Sequence, residues 1–339
     1  MIPAVVLLRG GMEESRHRVH LAVADANGDL LGAAGDPERW TFLRSAAKPF
    51  QALPLVTEGL VGGKGGVTRE ELALCCGSHN GEQVHLQGVR NMLSRAGLTE
   101  AALECGPHLP LARTEAEQLL RRGEVPTPIH NNCSGKHAGM LTLAQGKGWD
   151  PKGYRLPGHP VQARIREELA VWSGIPVDGI RLGVDGCGVP CFGLPLRTAA
   201  RAFAALVAAA DRGETGPWNV VEAMVGHPFM VAGTDRLCTE IMMMAGDRVV
   251  VKLGAEGVYA AGLRGKGVGV ALKVEDGARR ACEVAVVSVL SALGVFTLEE
   301  RERLAPWARQ SVPNTRGEKV AWLEVEREEH PAQSALEEA

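Results

Sequence analysis

Lysine is uncommon in this sequence: the 339 residues include nine lysines against 28 arginines. Arginine keeps its proton in proteins, whereas a lysine amine can lose its proton when burial or nearby positive charge lowers its pKa. The chain therefore uses arginine where only a cation is needed. A lysine inside a sequence motif indicates that loss of its proton matters.

An excess of charge of one sign is also missing. The formal net charge is −3, so the composition offers no basic surface for a nucleic acid or an anionic membrane. The apolar run at the start, Pro3 to Leu8, spans six residues and has no basic segment before it. That is too short for the core of a signal peptide or for a membrane span. We expect a cytoplasmic protein without a nucleic-acid or membrane partner.

A disulfide framework is a third absence. The sequence has eight cysteines, including the adjacent pair Cys75 and Cys76, but their spacings are not those of paired bridges. In a long chain without an export signal, reduced thiols or metal ligands are the expected use of cysteine. Hydrophobic residues at 45% and charged residues at 23% are typical of a globular protein with a sizeable core.

The order of strand and helix patterns predicts an α+β fold. Asn27-Gly28 favours a hairpin turn between alternating segments on either side. Strands from both ends of the chain that meet in one antiparallel sheet, flanked by helices and with a helical insert, would give this architecture. The predicted strands are 1–9, 17–25, 29–34, 248–253, 257–263, 268–274 and 318–325. The predicted helices are 45–58, 68–75, 81–96, 159–173, 196–210, 234–245 and 277–293.

The chain shows no internal repeat and no long linker, so we predict a single domain over residues 1–326. A charged, frayed tail is predicted over 327–339. The glycine-rich segment 61–67 lacks the Gly-Lys-Ser/Thr ending and the strand–loop–helix setting of a phosphate-binding loop. It is predicted to be a mobile loop beside the functional site.

The stretch from Arg44 to Pro49 contains Ser45 three residues before Lys48. On a helix these side chains share a face, and a neutral lysine amine can take the proton of a serine hydroxyl and so make it a nucleophile. Taken alone, such a pair is more often an N-capping serine beside a solvated lysine.

Two later segments extend this motif into a series. Ser78-His79-Asn80 lies in a polar turn, and Lys252 lies near the end of a predicted strand. Ser-x-x-Lys, Ser-x-Asn and Lys-x-Gly follow one another in this order in penicillin-binding proteins, serine β-lactamases and serine glutaminases. A second pair made by Ser78 and Lys252 would place two lysines together, and each cation would disfavour protonation of the other. The alternative is a pair of turn residues and a lysine at a strand edge.

The segment from His130 to Leu141 is the richest in reactive side chains. Cys133 and Lys136 have the spacing of a Cys-x-x-Cys metal pair with lysine in the second place, and Cys187 lies between glycines far along the chain. Two thiolates can hold zinc and leave positions open. Residue type alone nominates His137 as the third ligand, because a lysine ammonium must first lose a proton. The alternative is two buried cysteines beside a capped helix N-terminus.

Together these segments resemble the bacterial L-asparaginase II family, in its rhizobial-type, zinc-containing class. The resemblance runs from about residue 3 to about residue 325, and its block from Asn132 to Met140 is close to diagnostic. The matching blocks are Ser45-Ala-Ala-Lys-Pro49, Cys76-Gly-Ser-His-Asn-Gly-Glu82, His130-Asn-Asn-Cys-Ser-Gly-Lys-His-Ala-Gly-Met140, Leu156-Pro-Gly-His-Pro-Val-Gln162, Asp185-Gly-Cys187 and Lys252-Leu-Gly-Ala-Glu-Gly257.

The resemblance implies a fold similar to that of serine β-lactamases and glutaminases, and a homodimer. The catalytic residues that it implies are two serine–lysine pairs, Ser45 with Lys48 and Ser78 with Lys252. The implied zinc ligands are Cys133, Lys136 and Cys187. The residues expected to contact the substrate are Arg44, Asn80, His137 and Asp185. Two departures from the family's pattern, Gln83 after Glu82 and Cys191 in place of an asparagine, bear on selectivity and metal affinity more than on the reaction.

The resemblance favours hydrolysis of L-asparagine to L-aspartate and ammonia. We expect Ser45 to attack with Lys48 as its base, and the sequence leaves open whether Ser78 is the nucleophile instead. Zn²⁺ would orient the substrate or stabilise the fold. A glutaminase or a penicillin-recognising hydrolase would share the serine and lysine motifs without requiring the metal cysteines. A zinc-stabilised scaffold without enzymatic activity is the third hypothesis.

Overall fold

The computed structural model describes residues 3–63 and 65–326 of the chain. The tail predicted at 327–339 lies outside the described residues. Strands from both ends of the described chain join one antiparallel sheet, and helices cover the sheet and fill the middle of the sequence. The predicted α+β class is confirmed.

The described strands fall into a large sheet and a small one. The large sheet has the order β10-β11-β1-β2-β9-β8-β7, with β3 also paired to β2, and the small sheet has the order β4-β6-β5. The strands are β1 (Ala4–Arg9), β2 (Met12–Asp25), β3 (Leu30–Ala34), β4 (Trp40–Phe42), β5 (Arg181–Val184), β6 (Pro190–Pro195), β7 (Val249–Leu253), β8 (Val258–Leu263), β9 (Val268–Val274), β10 (Gln310–Pro313) and β11 (Lys319–Val325).

The described helices run mostly between the two groups of strands. They are α1 (Lys48–Thr57), α2 (Arg69–Cys75), α3 (Gln83–Arg95), α4 (Arg113–Arg121), α5 (Ser134–Gly146), α6 (Pro160–Ser173), α7 (Leu196–Asp211), α8 (Thr215–Gly226), α9 (Pro228–Val231), α10 (Leu237–Ala245), α11 (Arg279–Ala292) and α12 (Leu298–Ala308). Helix α7 packs against β2, β8 and β9, and α11 packs against β1, β8, β9 and β11. The helical body of α1, α2, α5, α6 and α8 continues from the α7 side.

Alternation along the strands sends these two helices to opposite faces of the large sheet. Gly269 of β9 faces α7. Leu272, three positions further along β9, therefore faces the other side of the sheet, and so does its partner Leu21 on β2. Leu21 lines a small apolar cavity together with Ala285 of α11. The sheet is therefore buried on both sides. Its edge strand β7 is left to meet the helical body, and β7 carries Lys252.

Most predicted elements are present, with shifted ends. The predicted hairpin at Asn27-Gly28 is confirmed by the pairing of β2 with β3. Pro49 lies in the first turn of α1, where proline is tolerated. The helix predicted from Thr234 begins only at Leu237, because Asp235 has a φ of +55°, which an α-helix does not allow. The sequence patterns missed α4, α5, α8, α9, α12, β10 and the small sheet.

The glycine-rich segment 61–67 is not placed as predicted. Its glycines lie with Thr142, Gln145 and Gly146 at the C-terminal end of α5. The cysteine and lysine motif lies at the opposite end of that helix. The loop is therefore not beside the predicted site, contrary to our expectation. Among the described residues, no helix is both long enough and apolar enough to cross a membrane.

The closest approach between helix and sheet generates a prediction for stability. A Cβ atom on Gly269 would lie 1.9 Å from the Ala200 carbonyl oxygen and 2.6 Å from the Ala204 nitrogen of α7. Neither backbone atom can move without shifting the helix, so Gly269→Ala should lower the free energy of unfolding by at least about 2 kcal/mol in urea denaturation. Gly226→Ala at the end of α8, where a Cβ atom meets open space, is the control and should change it by less than about 0.5 kcal/mol. Equal effects of the two changes would contradict the close packing.

Candidate functional site

The hydroxyl of Ser78 lies between two lysine amines that come from distant parts of the chain. Lys48 Nζ is 3.0 Å and Lys252 Nζ is 3.2 Å from Ser78 Oγ. Both lysines are buried, with exposed fractions of 0% and 1%. Their other hydrogen bonds go to the main-chain carbonyls of Gly77 and Leu253. Two amines thus share one hydroxyl where water has little access.

Local structure fixes each member of this trio. Lys48 is the first residue of α1, and Lys252 lies on the edge strand β7. Ser78 follows α2 in a turn. A hydrogen bond from the Ser78 N–H to the Val231 carbonyl, at 2.8 Å, holds this turn in place. Gly77 permits this turn, because a Cβ atom there would lie 2.7 Å from the Met230 carbonyl oxygen.

The two amines sit where a lysine gives up its proton readily. Burial, with help from the charges of Lys48 and Arg236, lowers the pKa of Lys252 to about 7. Burial also lowers the pKa of Lys48, and the charge of Lys136 adds to that effect. A neutral amine beside Ser78 is therefore accessible near neutral pH, which base catalysis requires.

Ser45 is placed differently from Ser78. It lies half-exposed in a short 3₁₀ turn from Arg44 to Ala47, directly before α1. No hydrogen bond joins its hydroxyl to Lys48 among the residues that the structure describes, because the Lys48 amine bonds to Ser78 and Gly77. The residue before it, Arg44, has a φ of +51°, a conformation that non-glycine residues adopt mainly where the surroundings enforce it. The structure thus brings Ser78, and not Ser45, into contact with both lysines.

The predicted metal residues lie together next to the same lysines. Lys136 Nζ donates to Cys187 Sγ at 3.0 Å. The Cys133 thiol lies close enough to Cys187 and to Lys48 to shift the pKa of each. The serine–lysine motif and the cysteine–lysine motif therefore form one continuous cluster.

The donors of this cluster have the character that zinc prefers. The interaction with the Cys133 thiol, and then the Lys136 charge, lower the pKa of Cys187, while the same interaction and burial raise the pKa of Cys133. Burial opposes a charge on Lys136, but the two sulfurs raise its pKa. One thiolate, one thiol and an amine thus converge, and a metal would replace their protons. No group of three or more His, Cys, Asp and Glu side chains within residues 3–63 and 65–326 is placed to hold a metal, so any such site needs the amine.

His137 does not join the cysteines. The Tyr154 hydroxyl accepts a hydrogen bond from Glu104 N–H at 2.9 Å, which leaves its own proton for His137 Nδ1 at 2.6 Å. Burial and the Lys136 charge lower the pKa of His137 to about 3, so the ring stays neutral and carries its proton on Nε2. His137 Nε2 is buried and has no hydrogen-bond partner in the described part of the chain. It is a free donor beside the cluster.

Arg44 and Asp185 form a charge pair at the half-exposed side of the cluster. Arg44 Nε is 2.7 Å from Asp185 Oδ1, and Asp185 Oδ2 is 3.9 Å from Cys187 Sγ. Burial alone would raise the pKa of Asp185, but the charges of Lys136 and Arg44 bring it below its ordinary value. One fixed cation and one fixed anion side by side suit a ligand that carries both charges.

Asn80, predicted to contact a substrate, is held by the protein. Its Nδ2 donates to the Thr234 carbonyl at 2.8 Å, and its Oδ1 accepts from Arg236 Nη1 at 2.7 Å. Both ends of the amide are therefore engaged, and Asn80 ties the Ser78 turn to the segment before α10. A substrate contact by Asn80 stays a prediction.

Two residues of this region escaped sequence reasoning. Tyr154, which orients His137, is one of only two tyrosines in the chain, and that scarcity was the available signal. Arg236 gave no signal, because its segment was taken as the start of a helix. Both act through tertiary contacts with residues far away in the sequence.

The comparisons with known proteins agree with the sequence motifs. The model of the family described as L-asparaginase II matches residues 5–325. No curated protein gives a significant match. Among solved structures, a β-lactamase from Mycobacterium bovis is similar over 82% of this chain and 95% of its own, with 15% identity and a TM-score of 0.45. Mglu in its tris and glutamate form is similar over 83% of this chain and 60% of its own, with 14% identity and a TM-score of 0.37.

Proposed function

Because the chain belongs to the L-asparaginase II family, we propose that it hydrolyses the side-chain amide of L-asparagine to L-aspartate and ammonia. The observation that supports this most is the Ser78 hydroxyl between the amines of Lys48 and Lys252, both buried and both with lowered pKa values. Such a network can accept and return the protons that amide hydrolysis moves. The sequence resemblance further supports a homodimer, which sedimentation would test.

Ser45 is the proposed nucleophile. Ser45 is half-exposed, whereas Ser78 is buried, and Lys48 lies three residues after Ser45. As Ser45 Oγ bonds to the amide carbon, its proton passes to the neutral Lys48 amine, which must first turn towards Ser45 from its bonds to Ser78 and Gly77. Collapse of the tetrahedral intermediate breaks the carbon–nitrogen bond, and the leaving nitrogen takes a proton through Ser78 to depart as ammonia. The product of this half-reaction is an ester on Ser45.

Water completes the reaction by the same route in reverse. It attacks the ester carbon, gives its proton to the Lys48–Ser78–Lys252 network, and the Ser45 oxygen takes a proton back as aspartate leaves. Lys252 bonds to Ser78 and, while its amine is neutral, can take up a proton from that hydroxyl. The network accepts the first proton only while an amine is neutral.

The substrate's own charges match the rest of the site. L-asparagine carries an α-carboxylate and an α-ammonium, and we assign them to Arg44 and Asp185. The unpartnered His137 Nε2–H is available to the carboxamide oxygen, where negative charge develops. In the free protein Arg44 and Asp185 bond to each other, and His137 Nε2 has no partner among the described residues.

Cys133, Lys136 and Cys187 would hold the zinc ion that the resemblance implies. Their fit is chemical: two sulfurs and one amine already in contact, with one of the sulfurs ionised readily. A bound zinc would supply a Lewis acid with an open coordination position. Cys187 itself lies 3.9 Å from Asp185 Oδ2 and so helps to position that carboxylate.

The proposed reaction is tested by ammonia release from L-asparagine. We expect Ser45→Ala and Ser78→Ala each to lower kcat by at least about 1,000-fold, because each removes a group that bonds to the reacting atoms or moves their proton. Ser291→Ala on α11, whose hydroxyl only bonds to the Val287 carbonyl, is the matched control and should keep full activity.

The substrate panel separates the other two hypotheses. Faster turnover of L-glutamine or of nitrocefin than of L-asparagine would identify a glutaminase or a penicillin-recognising hydrolase. If the folded wild type turns over none of these compounds, the hypothesis of a zinc-stabilised scaffold without enzymatic activity remains. If peptide mass spectrometry locates the ester on Ser78, then Ser78 is the nucleophile and Ser45 is not.

The pH dependence follows from Lys252. Its pKa of about 7 means that the amine is protonated below that pH and neutral above it, so kcat/KM for L-asparagine should rise with pH and reach half its plateau near pH 7. Lys252→Arg, which keeps a permanent cation beside Ser78, should be poorly active and lack that rise. A profile that is flat between about pH 5.5 and about pH 8 would rule out this amine as the controlling group.

Zinc binding is tested by metal analysis of dialysed protein. Wild type should hold about one zinc per chain, and Cys133→Ser and Cys187→Ser should each lose most of it, because two of the three donors are thiols. Cys282→Ser is the matched control, since Cys282 is a buried cysteine of α11 in the sheet core, and should keep its zinc. Equal zinc in all four proteins would place the metal elsewhere.

A further inference from the structure

Arg236 is a buried arginine that touches the Ser78 turn. It lies directly before α10 and is 8% exposed. Its Nη1 donates to Asn80 Oδ1 at 2.7 Å and to the Ser78 carbonyl at 3.3 Å. One guanidinium thus holds both ends of the Ser78–His79–Asn80 turn.

The charge of Arg236 is not balanced by a carboxylate. Both of its hydrogen-bond acceptors are neutral, and no ion pair within residues 3–63 and 65–326 includes it. Glu283, whose charge reaches Arg236, is itself bound to Arg279 at 2.8 Å. Burying a cation without a counterion costs free energy, so its retention needs a reason beyond packing.

The backbone around Arg236 is shaped to deliver this side chain. Asp235, the residue before it, has a φ of +55°, so α10 cannot extend back beyond Arg236. The Thr234 carbonyl accepts from Asn80 Nδ2, and the Thr234 hydroxyl donates to Glu82 Oε1 at 2.5 Å. The segment is therefore bonded to the Ser78 turn from both directions.

We propose that Arg236 is a positioning residue that holds the Ser78 turn against Lys252 and places a permanent cation at the residue to which Lys252 bonds. It touches neither Ser78 Oγ nor the lysine amines directly. Its effect on the reaction therefore passes through Ser78 and Lys252. As a contribution to asparagine hydrolysis, this role rests on the proposed function.

The charged and titratable groups around Lys252 determine how large the effect is. Burial lowers the pKa of Lys252 most, and the charges of Lys48 on α1 and of Arg236 lower it further. The thiols of Cys238 on α10 and of Cys133 before α5 act in the opposite direction. Arg236 is the member of this group that stays charged at every relevant pH, because a guanidinium does not lose its proton.

Two substitutions separate the charge of Arg236 from its hydrogen bonds. Arg236→Gln keeps a donor but removes the cation, and should raise the titration midpoint of Lys252 by roughly one pH unit. Arg236→Lys keeps the cation and should leave the midpoint within about 0.3 unit of wild type. If Arg236→Gln does not fold, Arg236→Met serves as the neutral variant and should raise the Lys252 midpoint by the same amount.

The midpoint is measured by NMR of protein labelled with ¹³Cε-lysine, in which only nine lysines contribute signals. Lys252→Arg assigns the resonance. In parallel, the midpoint shift in Arg236→Gln should lower kcat/KM for L-asparagine about fivefold at pH 7 and by less than about twofold at pH 9.

Arg264→Gln is the control for loss of a half-buried arginine. Arg264 follows β8 at the end of the β7–β8 ladder opposite Lys252 and bonds to Glu222 and the Gly246 carbonyl. This variant should leave the Lys252 midpoint unchanged.

The outcomes are distinct. An unchanged Lys252 midpoint in both neutral variants, or an equal rise in Arg236→Lys, would overturn the role of the cation and leave Arg236 as a structural residue only. Wild type that releases no ammonia would overturn the proposed function, while the NMR titration would still decide whether Arg236 controls Lys252.

Discussion

The structure depends on keeping two amines buried around one hydroxyl. A lysine taken out of water favours its neutral form, and a second cation nearby strengthens that preference. Lys48 and Lys252 satisfy both conditions because α1 and β7 place them on Ser78 from two sides. The helices around the site and the sheet that supports β7 keep water away from these amines.

The same burial links two motifs that look separate in the sequence. Cys133 influences the pKa of Lys48 on one side and of Cys187 on the other, so the charges of the cysteine–lysine cluster act on the serine–lysine network. A change in the ionisation of one cluster therefore alters the other. The proposed zinc and the proposed nucleophile share one electrostatic environment.

Much of this arrangement could be predicted from local signals, and the rest depends on tertiary contacts. Alternating residues and Asn27-Gly28 identified the strands, and short motifs identified Ser78, Lys252 and Cys187 as members of one region. The motif spacing did not reveal that Lys48 bonds to Ser78 in place of Ser45, because the amine's direction is set by the Gly77 carbonyl from another segment. Arg236 was hidden for a similar reason, since Asp235 breaks the helical pattern with a backbone angle that composition does not predict.

The wide spacing of the trio along the chain has a consequence for biosynthesis. Ser78 and Lys252 are 174 positions apart, and Lys252 lies on a strand that needs β8 and β9 beside it. A growing polypeptide thus has its first serine and lysine long before it has the second amine. The trio can therefore assemble only after β7, β8 and β9 have been synthesised, late in translation.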